Sequence, residues 1–211
     1  MKKEPIYVVS GYMRSGTSMM MKCLKNSGMN ACYNKKKDDV LNKKYERDGY
    51  RPNPEGFYEL GRKEFKVHDF AERYAGKLIK VLHWRLETLP EANYRVIFMK
   101  RDPKEIEVSY LKMFQRRPPF VLQKYEELVE ETVKKLKARD IDVILVNFKD
   151  VIDDCSQVFK DIQLKKWPVS NIENVVKSVN RKLYRSKAEN LNDTRKEIPN
   201  LRIDLPDNLV K

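Results

Sequence analysis

The chain is short of the residues that build metal centres and disulfide frameworks. Of 211 residues only His68 and His83 are histidine, and the three cysteines, Cys23, Cys32 and Cys155, are odd in number and scattered. Neither a zinc-ligand spacing nor a stapled scaffold can be composed from these, so no metal site is expected. No apolar run approaches the roughly 18 residues of a membrane-spanning helix, and the early run at residues 6–9 is too brief for a secretory signal. A soluble protein made in the cytosol, cytoplasmic in location, is the expectation. The length suffices for one core of ordinary size and not for two independent enzymatic domains. Acidic residues are also in deficit, 31 Asp and Glu against 44 Lys and Arg, for a net charge of +13 and a pI near 9.5. Such a surplus attracts something anionic: a nucleotide, a nucleic acid, a membrane surface or an acidic substrate. The cations are spread in short clusters, Lys35-Lys36-Lys37, Lys43-Lys44, Arg116-Arg117, Lys134-Lys135 and Lys165-Lys166, and most of these read as solvated faces.

The most telling absence is one lysine. The residues Ile6-Tyr7-Val8-Val9-Ser10-Gly11-Tyr12-Met13-Arg14-Ser15-Gly16-Thr17-Ser18 run from an apolar strand into a glycine turn with the G-x-x-x-x-G spacing of a phosphate loop. A nucleoside triphosphatase places a lysine after the second glycine, to reach the outer phosphates beside a magnesium-binding hydroxyl. Here Thr17 stands in that place. The cation inside the turn is Arg14, set among the hydroxyls of Ser15, Thr17 and Ser18, which suits an anion without a magnesium–triphosphate clamp. Met19-Met20-Met21, Cys23 and Leu24 continue as a helix closed by Gly28 in a left-handed cap. Its N-terminus aims N–H groups and the positive end of its dipole at the turn.

Residues 78–82, 94–99 and 142–146 are short apolar runs bounded by turn signals, as in buried strands of a parallel sheet. Between the last two, Tyr125, Leu128, Val129, Thr132, Val133 and Leu136 line one face of a helix. Strands alternating with helices predict an α/β fold, a single P-loop-type domain over residues 1–211 with a central, mainly parallel sheet flanked by helices. Residues 34–56 are polar and punctuated by Asp48-Gly49 and Pro52-Asn53-Pro54-Glu55-Gly56, and read as an inserted loop region rather than a sheet element. Residues 186–211, with Pro199 and Pro206, read as an extended C-terminal segment.

A second anion site is visible after the 94–99 strand. Asp102 reads as an N-cap, Pro103 as the first helical residue and Glu105 as the closing member of a capping box, which fixes Arg101 at the carboxyl end of a strand. Ser109, eight residues on from Arg101, is reached by the same ligand only if that ligand lies along the first two turns of the helix. Ligands of open α/β sheets bind at the carboxyl ends of the strands, where the first loop, Lys80 to His83 and Arg101 are expected to converge. The alternative for Arg101 is a surface ion pair with Asp102 or Glu105.

Together these residues resemble the sulfotransferases that use 3′-phosphoadenosine 5′-phosphosulfate (PAPS). Arg14-Ser15-Gly16-Thr17-Ser18 looks like that family's loop for the 5′-phosphosulfate, and Arg101 with Ser109 is similar to its arginine–x7–serine pair for the 3′-phosphate. Pro54-Glu55-Gly56-Phe57-Tyr58-Glu59 resembles a glycine–aromatic–aromatic–glutamate segment, and Lys80 followed by His83 resembles a strand ending in lysine and a catalytic histidine. Val146-Asn147-Phe148-Lys149-Asp150-Val151 resembles the family's later strand and turn. The likeness covers about residues 5–155. His83 comes three residues after Lys80, one more than in the cytosolic branch, and the arginine in the first loop is like the carbohydrate, tyrosylprotein and bacterial branches.

The resemblance implies a transferase that moves the sulfuryl group of PAPS to a hydroxyl or amine by in-line displacement, releases adenosine 3′,5′-bisphosphate, and needs no metal. It implies Arg14, Ser15, Gly16, Thr17, Ser18, Arg101 and Ser109 as donor-binding residues. Arg14 and Lys80 would offset developing charge, with Glu59 or His83 as the base. For His83 a structural place at a strand end is the competing reading, and for Glu59 a helix-start carboxylate. The acceptor stays open among an anionic glycan, a lipid headgroup, a peptide and a small metabolite, with residues 34–75 as the variable insertion on the acceptor side; no specific nucleic acid is expected. Two other readings stand beside this one: a degenerate sulfotransferase-like module that binds a nucleotide or anionic glycan without chemistry, and a P-loop nucleotide kinase.

Overall fold

Alternation along the two longest apolar runs decides which way their side chains face. In the computed structural model, which describes residues 4–118 and 124–198, these runs are β1 (Ile6–Gly11) and β4 (Tyr94–Lys100), paired in parallel from Ile6 opposite Tyr94 to Gly11 opposite Met99. Val9, Ile97 and Met99 enter one apolar layer with Met20, Leu24, Phe148 and Phe159. Val8, Val96 and Phe98 enter a second with Ile106, Tyr125 and Val129. Because both faces are covered, these strands carry apolar side chains on both sides.

β2 (Ala31–Cys32), β3 (Leu78–Lys80) and β5 (Asp142–Asn147) complete the sheet among the described residues, in the order β2-β3-β1-β4-β5, with every pairing parallel. The helices are α1 (Thr17–Asn26), α2 (Lys35–Tyr45), α3 (Phe70–Tyr74), α4 (Pro103–Phe114), α5 (Tyr125–Ala138), α6 (Phe148–Asp153), α7 (Cys155–Leu164), α8 (Ile172–Ser178) and α9 (Leu191–Glu197). The fold is α/β, with one parallel sheet flanked by helices. Among the described residues no helix is long and apolar enough to cross a membrane.

α1 opens at Gly16 and ends at Ser27, after which Gly28 takes φ 107° and donates to the Lys25 carbonyl. α5 buries Tyr125, Val129, Thr132 and Leu136, the face that the three-and-four spacing marks.

Several expectations need correction. The strand over residues 142–146 is an edge rather than a buried element: it pairs with β4, and Leu145 is 47% exposed. The run at residues 78–82 stops as a strand at Lys80 and passes into a 3-10 helix, His83–Thr88. Residues 34–56, which read as loop, contain α2, capped by the Asn34 side chain accepting from the Lys37 N–H at 3.0 Å. In the segment expected to be extended, residues 191–197 form α9, whose Leu191 joins Ile198, Val108 and Leu111 in a small apolar cluster against α4. Residues 199–211, with Pro199 and Pro206, lie outside the described residues.

The chain order across the sheet reverses at β1, which lies between β3 and β4. This is the switch point at which parallel sheets open a crevice. The loop after β1, Lys80 at the end of β3, Arg101 after β4 and Phe148 after β5 all leave the sheet at its carboxyl edge.

Candidate functional site

Two glycines shape the first loop. A side chain on Gly11 would place its Cβ 2.5 Å from Ser15 Oγ and 2.7 Å from the Met99 carbonyl, and one on Gly16 would lie 2.4 Å from the Phe148 ring. Gly16 also holds φ 100°, a left-handed conformation that costs other residues free energy. Between them Arg14 itself adopts φ 71°, uncommon for a residue with a side chain, and such strain persists only where the surroundings hold it in place.

Arg14 is held by three acceptors. Its Nε donates to Ser109 Oγ on α4 at 2.9 Å, and its two terminal nitrogens donate to Asn53 Oδ1 at 3.0 Å and the Pro52 carbonyl at 3.1 Å. Burial lowers its pKa to about 10; Tyr50 opposes the shift, while Arg101 and Arg185 reinforce it. The guanidinium stays charged at neutral pH in a neighbourhood with an excess of positive charge.

Arg101 is fixed as firmly. Its Nε meets Glu105 Oε2 at 2.9 Å, and its other nitrogens donate to the Arg14 carbonyl at 3.1 Å and the Ser186 carbonyl at 2.9 Å. The guanidinium lies 4.2 Å from the Phe148 ring centre and 5.8 Å from that of Tyr184. Glu105 also accepts from the Tyr184 hydroxyl. The ion pair weighed as the alternative for Arg101 is therefore present, but it is buried. The capping box is corrected at the same point: Asp102 caps α4 through the Lys104 N–H at 2.7 Å, while Glu105 is turned towards Arg101 and Tyr184.

Lys80 lies at the floor, 5% exposed. Its Nζ donates to the Phe57 carbonyl at 2.7 Å and to Ser18 Oγ at 3.2 Å, with Glu59 Oε1 at 3.8 Å. Burial lowers its pKa to about 8, against the pull of Glu59 and with the help of Arg14. Glu59 is 2.9 Å from Lys37. Burial pushes its carboxyl up, but Lys80 and Lys37 outweigh that, and the group ends below the usual carboxylate range.

These elements enclose a cleft with about 1030 Å³ of atom-free space, the open solvent at its mouth included. Arg14, Gly16, Thr17, Ser18, Glu59, Lys80, Arg101 and Ser109 all line it. Ser15 and His83 do not. The Ser15 hydroxyl is buried behind the loop without a hydrogen-bond partner among the described residues. His83 stacks on Tyr12 at 5.0 Å, hydrogen-bonds the backbone of Gly11, and has its pKa lowered to about 4 by burial. The chain turns away from the sheet after Lys80, so the His83 side chain reaches the back of the first loop rather than the cleft. Of the two candidate bases, the cleft presents Glu59.

Sequence reasoning missed Pro52 and Asn53, which read only as turn punctuation, and Tyr184 and Ser186, which hold the Arg101–Glu105 pair. Each acts on a partner 38 to 85 residues away, so no local pattern marks it.

No protein-family model matches the chain, and no curated protein matches it. Among solved structures it is similar to retinol dehydratase, crystallised in complex with androsterone and the inactive cofactor PAP, at TM-score 0.34 and 15% identity. That match covers 90% of this chain and 65% of the other, so the chain spans just under two thirds of the length of the structure that it resembles.

Proposed function

We propose that the cleft holds a nucleotide phosphorylated at both ends, PAPS, and transfers its sulfuryl group to an acceptor hydroxyl. The observation that carries this reading is the hydrogen bond from Arg14 to Ser109, completed by Arg101 on the Arg14 carbonyl. Two anion sites legible separately in the sequence, one at the first loop and one on α4, are joined side chain to side chain in one cleft. The donor set fits an anion: Arg14, Lys80, Arg101, Thr17 and Ser18 line the cleft beside the N-terminus of α1.

In this reading the acceptor oxygen attacks sulfur, the bond from sulfur to the bridging oxygen breaks, and the electron pair remains on the 5′-phosphate of the released bisphosphate. Arg14 and Lys80 stabilise the charge developing there, a contribution that grows where water is excluded. The acceptor proton passes to Glu59, whose carboxyl is ionised across the neutral range. Ser18, bonded by Lys80 and within 3.4 Å of Asn53 Nδ2, keeps Lys80 aimed along the first turn of α1.

The test is thermal stabilisation by adenosine 3′,5′-bisphosphate, followed by sulfate transfer from labelled PAPS to a panel of hydroxyl acceptors. At about 100 times the dissociation constant, binding adds roughly 2.7 kcal/mol, or about 5–10 °C in Tm for a chain of this size. No shift overturns the donor assignment. A shift without transfer to any acceptor leaves a nucleotide-binding module.

A further inference from the structure

Beside Lys80 and Glu59 lies a second recess, with about 590 Å³ of atom-free space, the open solvent at its mouth included, and it shares Glu59, Lys80 and Leu82 with the cleft. Its walls come from α2, from residues 59–65 and from the 3-10 helix after β3, and its charge is one-sided. Lys37, Arg62, Lys80 and Arg85 line it, and among the described residues Glu59 is the one carboxylate in its lining. That carboxylate is already engaged, 2.9 Å from Lys37 and 3.8 Å from Lys80. Two arginines therefore contribute positive charge to a small concave space, where fields are focused.

Two aromatic side chains share the recess. Arg85 lies over the Phe65 ring, 5.2 Å from its centre, so the guanidinium is orientated rather than free to wander. Trp84 is 45% exposed and offers a flat apolar surface, of the kind on which an aromatic ring or the C–H face of a sugar packs. A hydroxyl seated at the Lys80–Glu59 junction would have the rest of its molecule in this recess.

We propose that the recess is the acceptor subsite, and that the acceptor is a ring compound carrying an anionic group, such as a carboxylate, in addition to the hydroxyl that is modified. Arg62 and Arg85 bind the anion and Trp84 packs on the ring. This rests on the sulfuryl-transfer reading of the cleft. It accounts for a basic cavity at Lys80 whose lining includes neither Arg14 nor Arg101, a place that donor binding alone gives no reason to charge.

The experiment measures binding of two matched pairs to the full chain: 4-nitrophenyl β-D-glucuronide against the glucoside, and 4-hydroxyphenylacetate against its neutral alcohol, 2-(4-hydroxyphenyl)ethanol. Each is titrated with and without saturating adenosine 3′,5′-bisphosphate. The expected result is that at least one carboxylate binds about tenfold more tightly than its neutral partner, as one added charge-assisted contact allows. The preferred pair distinguishes a saccharide from an aromatic acid. Arg85→Ala should abolish the preference while leaving affinity for the bisphosphate unchanged; Arg62→Glu, at an exposed position, should do the same without disturbing packing. Equal binding of charged and neutral partners overturns the proposal, as does a preference that survives both variants. Failure of the bisphosphate to bind would instead overturn the donor reading, and the comparison without it still reads the recess.

Discussion

Lys80 is where burial and charge compete most directly. An unperturbed lysine titrates near 10.4, and burial brings this one down to about 8 despite the pull of Glu59. Between about pH 8 and pH 10.4 the folded protein binds fewer protons at Lys80 than the unfolded chain, so its contribution to stability rises with pH across that window. Below pH 8 both states are protonated, and the cost of burying the charge is fully present. Activity runs the other way, because the proposed role needs the ammonium form: kcat/KM for PAPS should fall above about pH 8. Lys80→Met should flatten the stability window, followed as Tm from pH 7 to 10, and lower kcat by about 10² or more. A wild-type kcat/KM level through pH 10 would remove the charge of Lys80 from the mechanism. Arg14, Lys80 and Arg101 were legible in the sequence because each stands at the end of a strand within a pattern of residue types. Glu105 and Ser109 were legible beside them, but their more distant partners were not. The acceptors of Arg14 in the 52–53 turn are set by a chain excursion of 38 to 39 residues, and His83 was misplaced because spacing from Lys80 does not say which way the chain turns once the strand has ended.

The strand–loop–helix unit is the element on which the site depends, and its close packing makes a definite demand on Gly16. The N-cap of α1 sits at φ 100°, and a Cβ there would meet the Phe148 ring of α6 at 2.4 Å. Left-handed strain and overpacking together should make Gly16→Ala cost roughly 2–4 kcal/mol, or about 5–15 °C in Tm. Adding Phe148→Leu should restore part of the loss by giving the methyl group room, and a Gly16→Ala protein as stable as wild type would show that α6 does not press on the loop. This unit was readable because it combines apolar residues, turn glycines and hydroxyls in fixed order. α2 was not, because its one buried residue is Asp38, which accepts from the Phe57 and Tyr58 N–H groups at 3.0 and 2.9 Å; a helix that buries a carboxylate has no apolar period to detect. β5 kept an apolar composition yet lies at an edge, since composition records apolar contact on a strand without recording how many neighbours it has.

At the scale of the whole molecule, the net charge of +13 and the proposed two-ended grip of the cleft make one joint demand on the ligand. PAPS carries roughly four negative charges, counting a phosphomonoester near −2, and long-range attraction to it should weaken as the screening length falls from about 10 Å at 0.1 M salt towards about 3 Å at 1 M. Screening alone does not distinguish a specific grip from a generally basic surface, but the two proposed phosphate positions do. Three hydrogen bonds already fix the Arg101 guanidinium, and of its five N–H groups two remain to add to an incoming phosphate without breaking the Glu105 pair. Arg14 is likewise set before any ligand arrives, so little ordering is left to oppose binding at either end. Adenosine 3′,5′-bisphosphate should therefore bind at least about 10²-fold more tightly than adenosine 5′-monophosphate or adenosine 3′-monophosphate, each of which forgoes one charged contact set. Calorimetric titration of the three nucleotides at about 0.1 and 0.5 M salt measures this, with all affinities falling with salt but the ratio largely kept, because the contacts that set it are buried. Equal affinities, or a ratio that vanishes at the higher salt, would mean that Arg101 and Ser109 serve the packing of α4 against the first loop and that the chain attracts nucleotides through its surface charge alone.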